Sequence, residues 1–316
     1  MIAHVVRRLL AAAVVLVIAV TAAFALVIAL PADPARALVG PHADPATLAR
    51  ARAHYCLDRG LAGRYACFVG GIARGDLGTS LRSRRPVAAL IAERAAATAE
   101  LALAAFALQL AITVPLAAWM ARRRRRAAAE LADLTLTIGQ SVPAFVLGPL
   151  LAFLLGYRLG WLPIAGRGVG VTDHVRHLVL PAVTLALPGV AIGARVLRDE
   201  LARALASDHV RAARARGASE RRALWRHALP TAARPWIALV GLDLGALVSG
   251  AVVVETVFAW PGLGREAMLA VGDLDLPVIL GVALVGTAAV TLANALADAL
   301  LWWLDPRTRT REPTGR

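Results

Sequence analysis

The sequence predicts an all-α, polytopic membrane protein with six transmembrane helices and both termini in the cytoplasm. Three observations carry that prediction. The 316-residue chain is 59% hydrophobic with a mean hydropathy of +0.64, too apolar for a water-soluble protein. Six apolar stretches approach or exceed the ~20 residues a helix needs to cross a bilayer. The arginines gather in alternate connecting segments, as the positive-inside rule requires of cytoplasmic ones.

The first stretch, Leu9–Leu30, follows Arg7 and Arg8. A secretory signal has a shorter apolar region of about 7–15 residues and a small-residue cleavage site. Residues 1–30 therefore read as a tail and a retained first span. Residues 31–97 read as a small extracytoplasmic domain with loop signals such as PADPAR and GDLGTS. Residues 98–304 hold the remaining spans, expected at Thr98–Met120, Leu131–Leu155, Leu178–Leu197, Trp236–Val257 and Pro277–Leu304. Residues 305–316 form a cytoplasmic tail. Pro115, Pro143, Pro149, Pro181 and Pro188 sit in or beside spans, where membrane helices tolerate them. Small residues abound throughout, as close helix packing in lipid prefers.

Orientation follows from the arginines. A cytoplasmic N-terminus places Arg7, Arg8, the run Arg122–Arg126, the ten between Arg195 and Arg234, and the four in the tail on the inside. The two short outside loops then carry only Arg158, Arg167, Arg176 and Arg265. The net charge is +14, yet there is no lysine, so all 35 basic residues are arginine. A phosphate-binding P-loop needs its lysine and a Schiff-base enzyme needs a lysine amine. If ATP is used, another subunit hydrolyses it. Cys56 and Cys67 both fall in the outside segment. An oxidising compartment permits a disulfide between them, and two unrelated small apolar residues is the alternative.

The basic strip VRAARARGASERRALWRHALP (Val210–Pro230) lies in the cytoplasmic segment 198–234 between spans four and five. It predicts a helix from about Asp208 to Arg216 with Gly217 as a left-handed stop. Ser219 is then the N-cap of a second short helix, Glu220 sits favourably in its first turn, and Pro230 and Pro235 close the segment. Nucleic-acid reading is excluded. The hairpin is tethered at both ends to spans, has little apolar core, and lacks the third helix a helix-turn-helix packs on.

These residues resemble a known family. Ala212-Ala213, Gly217 four residues later, and Leu229-Pro230 match the spacing of the EAA loop (E-A-A-x3-G-x9-I-x-L-P) of ABC-importer permeases. Arg211 stands where that pattern has glutamate and His227 where it has isoleucine, so the strip resembles the variant in dipeptide, oligopeptide and nickel permeases. GDLGTSLRSRRPV (Gly75–Val87), ERAAATAELALAA (Glu93–Ala105), GWLPIAG (Gly160–Gly166), VVVETVFAWPGLGR (Val252–Arg265) and LDPRTR (Leu304–Arg309) extend the likeness along the chain in the same order. The resemblance implies a type I ABC importer permease fold in a bacterial cytoplasmic membrane, with no catalytic residues, metal or cofactor of its own. It implies a second homologous permease, two ATP-binding subunits and an external substrate-binding protein as partners. The hairpin is then the element that couples to the ATPase, through Arg211, Ala212, Ala213, Gly217, Ser219, Glu220, His227, Leu229 and Pro230. Small Ala212, Ala213 and Gly217 allow a partner to approach closely.

Charged groups inside spans default to functional hypotheses. Asp243, in span five, either lines the pathway and meets a cationic part of the substrate, or is a carboxyl hydrogen-bonded to a neighbouring helix. Asn294 and Asp298 in span six brace helices or the inner mouth. Glu255 and the FAWPGLG loop after it stand at the outer mouth, the loop re-entering the vestibule. Gln140 and Gln109 are further pathway candidates. His174 and His177 are spaced to share a helix face, a weak sign of metal transport. Di- or oligopeptides are the expected cargo, with nickel or a metal chelate as runner-up. A carrier or channel not driven by an ATPase is the alternative from a different class.

Overall fold

The structure is a computed structural model that describes residues 2–29, 34–40, 44–54, 56–123 and 127–304. Among these residues there is no strand, and Thr79 and Pro86 form an isolated bridge. A helix satisfies its own backbone within lipid, and this alanine- and leucine-rich chain favours it.

In order, α1 spans Ile2–Ala29, α2 Pro34–Val39, α3 Pro45–His54, α4 Leu61–Ala73 and α5 Val87–Arg122. Then come α6 (Ala127–Ser141), α7 (Ala144–Leu151) and a π-helical turn, Ala152–Arg158. A loop leads to α8 (Val171–Leu205), α9 (Asp208–Ala215) and α10 (Glu220–Arg222). A second π-helical segment, Ala223–Ala228, continues directly into α11 (Leu229–Val257), followed by α12 (Leu263–Gly272) and α13 (Leu276–Leu304).

Among the described residues three helices are long and apolar enough to cross a membrane: Val87–Arg122, Val171–Leu205 and Leu276–Ala295. Two bent pairs raise the number to five where each pair counts as one span. Ala127–Ser141 meets Ala144–Arg158 at 110°, and Glu220–Gly241 meets Gly245–Val257 at 53°. Within α1, Ala13–Ala25 is a shorter apolar stretch.

The expected single span Leu131–Leu155 is therefore a broken one. Pro143 has no N–H and biases Val142 away from helical dihedrals, and it stands at φ −60, ψ 146 as the N-cap of α7. By contrast Pro115, Pro181 and Pro188 stay inside α5 and α8. The helix expected to begin at Thr98 starts at Val87. The GDLGTS segment leads into it, with the Val87 N–H donating to Gly78 O at 3.0 Å.

The chain forms two compact units, residues 1–99 with 259–292 and residues 100–258 with 293–316. In the first, Val87, Leu90 and Ile91 of α5 pack with Leu263 and Ala270 of α12 and Val278 and Val282 of α13. Leu276, Leu280 and Leu284 meet Ala23 of α1 in a second cluster. In the second unit, one cluster joins the ends of α5 (Ala117, Ala118) and α8 (Leu197, Leu201, Ala204) to α9 and α11. Leu224, Ala228, Ala232, Trp236 and Val240 are buried at a constant spacing of four. An α-helix repeats every 3.6 residues, so the stripe would drift. The wider π segment at its start helps hold it on one side.

Candidate functional site

Residues 205–230 fold as a hairpin whose turn has a specific backbone requirement. After α9, Gly217 adopts φ +86. The Gly217 N–H donates to Arg214 O at 2.9 Å and the Ala218 N–H to Ala213 O at 3.1 Å. That pair of bonds is a Schellman motif, which needs a left-handed residue at Gly217. Ser219 is the N-cap, its hydroxyl accepting the Arg222 N–H at 3.4 Å. Arg214 clasps the two limbs, donating Nε and Nη2 to the two Glu220 oxygens at 2.8 and 3.0 Å. It also donates Nη1 to Leu205 O at 3.0 Å, a carbonyl at the end of α8. This clasp holds the Glu220 carboxyl below its ordinary pKa. Arg122, ending α5, donates to Glu220 O at 3.3 Å.

Two expectations for the strip change here. Ala213 is buried with Val210, Ala223, Leu224 and Ala228 against the helix ends. The hairpin thus has a shared apolar core, where little was expected, and Ala213 lies in it. A Cβ at Gly217 would meet nothing of this chain within 4 Å, so within the chain it is the dihedral that calls for glycine. Nor does Pro230 close the segment, since the helix runs through Pro230 and Pro235 into α11. The π winding of Ala223–Ala228 accommodates the missing proline N–H. Arg211 and Ala212 are exposed and Arg211 pairs with Asp208. Leu229 and His227 are half-buried, and Pro230 is exposed. Trp225, which motif spacing did not single out, stands 41% exposed on the outer side of the π segment. An open hollow of about 420 Å³ beside it is lined by Ser219, Arg221, Arg222 and Trp225.

Between α5, α8 and α11 runs a polar seam. Gln109 is fully buried and donates Nε2 to Asp243 Oδ2 at 2.7 Å. Its approach to α8 is close, for a Cβ on Gly189 would lie 2.5 Å from the Gln109 amide. One turn along, Thr113 and Trp236 flank Gly193. Among the described residues Gln109 Oε1, Thr113 Oγ1 and Trp236 Nε1 are buried without a hydrogen-bond partner. Asn294 lies against Gly245 of α11. Gln140 ends α6 beside the 110° break, its Oε1 also buried and unpartnered among the described residues. Asp298 lies outside the residues whose side chains are described.

Glu255, near the end of α11, is fully buried. The FAWPGLG segment is held by Trp260, also fully buried, which donates Nε1 to Ala97 O at 2.9 Å. The Leu263 N–H donates to Thr98 Oγ1 at 2.8 Å. The Trp260 ring thus packs as an anchor within its unit. His174 contacts Glu100 through Nε2 and Arg167 O, at 2.8 Å, through Nδ1. His177 Nδ1 contacts Asp173 O at 2.8 Å. The two imidazoles therefore serve separate local networks. Among the described residues no group of three or more His, Cys, Asp or Glu is placed to hold a metal ion. Cys56 and Cys67 are joined by a disulfide.

Among the described residues, long apolar helices, bent helix pairs and a buried polar seam are the makeup of a membrane-spanning protein. The chain belongs to the family described as binding-protein-dependent transport system inner membrane component, whose model matches residues 113–310. The model of that family's N-terminal region matches residues 1–102. It is therefore a multi-pass inner-membrane permease component, with ATP hydrolysis and substrate capture in separate partner proteins. It is 36% identical over 313 residues to the glutathione transport system permease protein GsiC of Salmonella choleraesuis (strain SC-B67), covering 98% of this chain and 99% of that one. It is 36% identical over 302 residues to the probable D,D-dipeptide transport system permease protein DdpB of Escherichia coli (strain K12), covering 88% and 89%. A solved structure of an amino acid ABC transporter with histidines aligns with a TM-score of 0.49 at 18% identity, covering 69% of this chain and 94% of that one.

Proposed function

We propose that this permease moves di- or oligopeptides inward by alternating access, paired with a second homologous permease and driven by two cytoplasmic ATPase subunits. End-to-end similarity to permeases named for glutathione and a dipeptide supports the cargo class. The observation that carries the drive is the hairpin at residues 205–230. It is a short, clasped, arginine-rich projection whose inner face is fused into the packing of α5, α8 and α11. A push on it is transmitted to three helices at once.

In this reading the chain crosses the membrane six times, α1 being the first span, with both termini and segment 198–234 in the cytoplasm. Residues 31–97 lie outside, where Cys56 and Cys67 oxidise. Asp243 and Gln109 act together in the transport core. Their mutual bond favours a brace that shapes the path, with Gln140, Asn294 and Asp298 bordering it and Glu255 near its outer end. A nickel cargo gains no support from His174, whose two nitrogens are already engaged.

The test is reconstitution of the permease pair with its ATPase subunits and binding protein in proteoliposomes. Uptake of a labelled dipeptide is expected only with ATP inside the ATPase-accessible compartment. Equal uptake without ATP would identify a carrier or channel and overturn the proposal.

A further inference from the structure

Helix α4, LAGRYACFVGGIA, is apolar enough for lipid and too short to cross it. Its 13 residues give a length of ~20 Å, against a hydrocarbon core of ~30 Å. The protein itself takes up one side of the helix. Phe24 of α1 lies 5.2 Å from Tyr65 and 5.7 Å from Phe68 between ring centroids, and the Thr21 and Tyr65 hydroxyls share a hydrogen bond at 2.9 Å. Phe68 and Ile72 pack against Ala23, Leu276, Leu280 and Leu284. A second side, Ala62, Ala66, Val69 and Ala73, follows the helical repeat and is apolar and exposed along its length. About half a turn away from that stripe stands Arg64, which reaches back to donate Nε to Arg59 O at 2.8 Å. Exposed Arg59 and Arg74 mark the two ends of the helix.

Resting on the reading that residues 31–97 lie outside, we propose that α4 is an interfacial helix whose Ala62–Ala66–Val69–Ala73 stripe is sunk into the outer leaflet of the bilayer. Its neighbours set the depth. Leu276 opens the span Leu276–Ala295, and Leu284 lies about 12 Å further along it. Thr21 and Phe24 belong to the apolar stretch Ala13–Ala25. The helix therefore sits beside apolar spans, and a stripe exposed at that level meets acyl chains. A helix in the membrane plane needs an apolar face turned into the acyl boundary and cationic groups at the headgroups. The stripe supplies the first, and Arg59, Arg64 and Arg74 supply the second. In water the same stripe, with Leu61 at 64% exposed beside it, would be uncovered apolar surface. The Cys56–Cys67 disulfide ties α4 to the residues before it, so the helix anchors that part of the outside segment to the membrane.

The test uses Ala62→Cys, Ala66→Cys, Val69→Cys and Ala73→Cys in the full-length permease, with Ala49→Cys on the exposed side of α3 as an aqueous reference. The native cysteines are joined, so a nitroxide takes the added thiol. Each variant is assembled with its partner permease and ATPase subunits in nanodiscs of phosphatidylethanolamine and phosphatidylglycerol. Relaxation by oxygen, which concentrates in lipid, is compared with relaxation by water-soluble chromium oxalate. Oxygen should dominate at the four stripe positions and chromium oxalate at Ala49→Cys. Dominance of chromium oxalate along the stripe would put it in water and overturn the inference. Poor access of both reagents would put it against protein and overturn it equally. Either result leaves the importer function standing. A membrane-impermeant maleimide on spheroplasts tests the topology separately. Labelling of Ala49→Cys only after permeabilisation would overturn the outside placement and the inference with it.

Discussion

Gly217 and Gly189 illustrate two separate reasons for a glycine. At Gly217 the space around a Cβ is empty and φ is +86, so Gly217→Ala adds only left-handed strain of about 1 kcal/mol. Gly217→Asn should be better tolerated, because asparagine enters that region more readily. Amide exchange across residues 208–222 would show the loosened turn, and unchanged protection in Gly217→Ala would refute the strain. At Gly189 the obstacle is the Gln109 amide. Gly189→Ala should push Gln109 off Asp243 and destabilise by about 1–3 kcal/mol. Combining it with Gln109→Ala should then cost less than the two single changes added together, a coupling that a double-mutant cycle in thermal unfolding reads directly. Additive effects would mean the two residues do not meet. Gly217 could be foreseen from the length of its helix and the serine after it. Gly189 could not, since nothing local in LALPGVAIG says which helix passes against it.

Among the elements, the hairpin's second limb departs furthest from expectation. A helix ending at Pro230 is the natural reading of two prolines in six residues. Instead a π segment absorbs the first proline and the limb becomes the start of α11. Helical continuity from Glu220 into the span is what the proposed coupling needs, since a loosely hinged loop would dissipate motion. The clasp inside it is pH-sensitive. The folded-state pKa of Glu220 is depressed, so the clasp contributes above the unfolded value, near 4.5, and is lost as pH falls through the lower folded value. Glu220→Gln should abolish that acid dependence of protection in residues 205–222 while having little effect at neutral pH, since an exposed pair is worth little. Retention of the acid dependence in Glu220→Gln would show that another group titrates. The six-arginine strip made the hairpin visible in the sequence. The pairing of Arg214 with Glu220 depended on a turn that brings residues six apart face to face.

For the whole molecule, the seam at Gln109 and Asp243 bears on what is transported. If Asp243 braces α5 against α11, Asp243→Asn keeps an oxygen for Gln109 and leaves uptake, and its pH dependence, near wild type. Selective loss of uptake of cationic peptides would instead mean that the carboxylate meets substrate. The sequence by itself determined the helical class, the apolar stretches, the connecting segments in which arginines gather and the basic strip among them. These follow from hydropathy, charge asymmetry and turn chemistry, all of which are local along the chain. Tertiary structure decided the rest. It turned Ala213 inward and Trp225 outward, broke the third expected span at Pro143, and set Gln109 on Asp243 across 134 positions. Each of those outcomes depends on which helix packs against which, and in an apolar chain nearly every face is greasy enough to be the buried one.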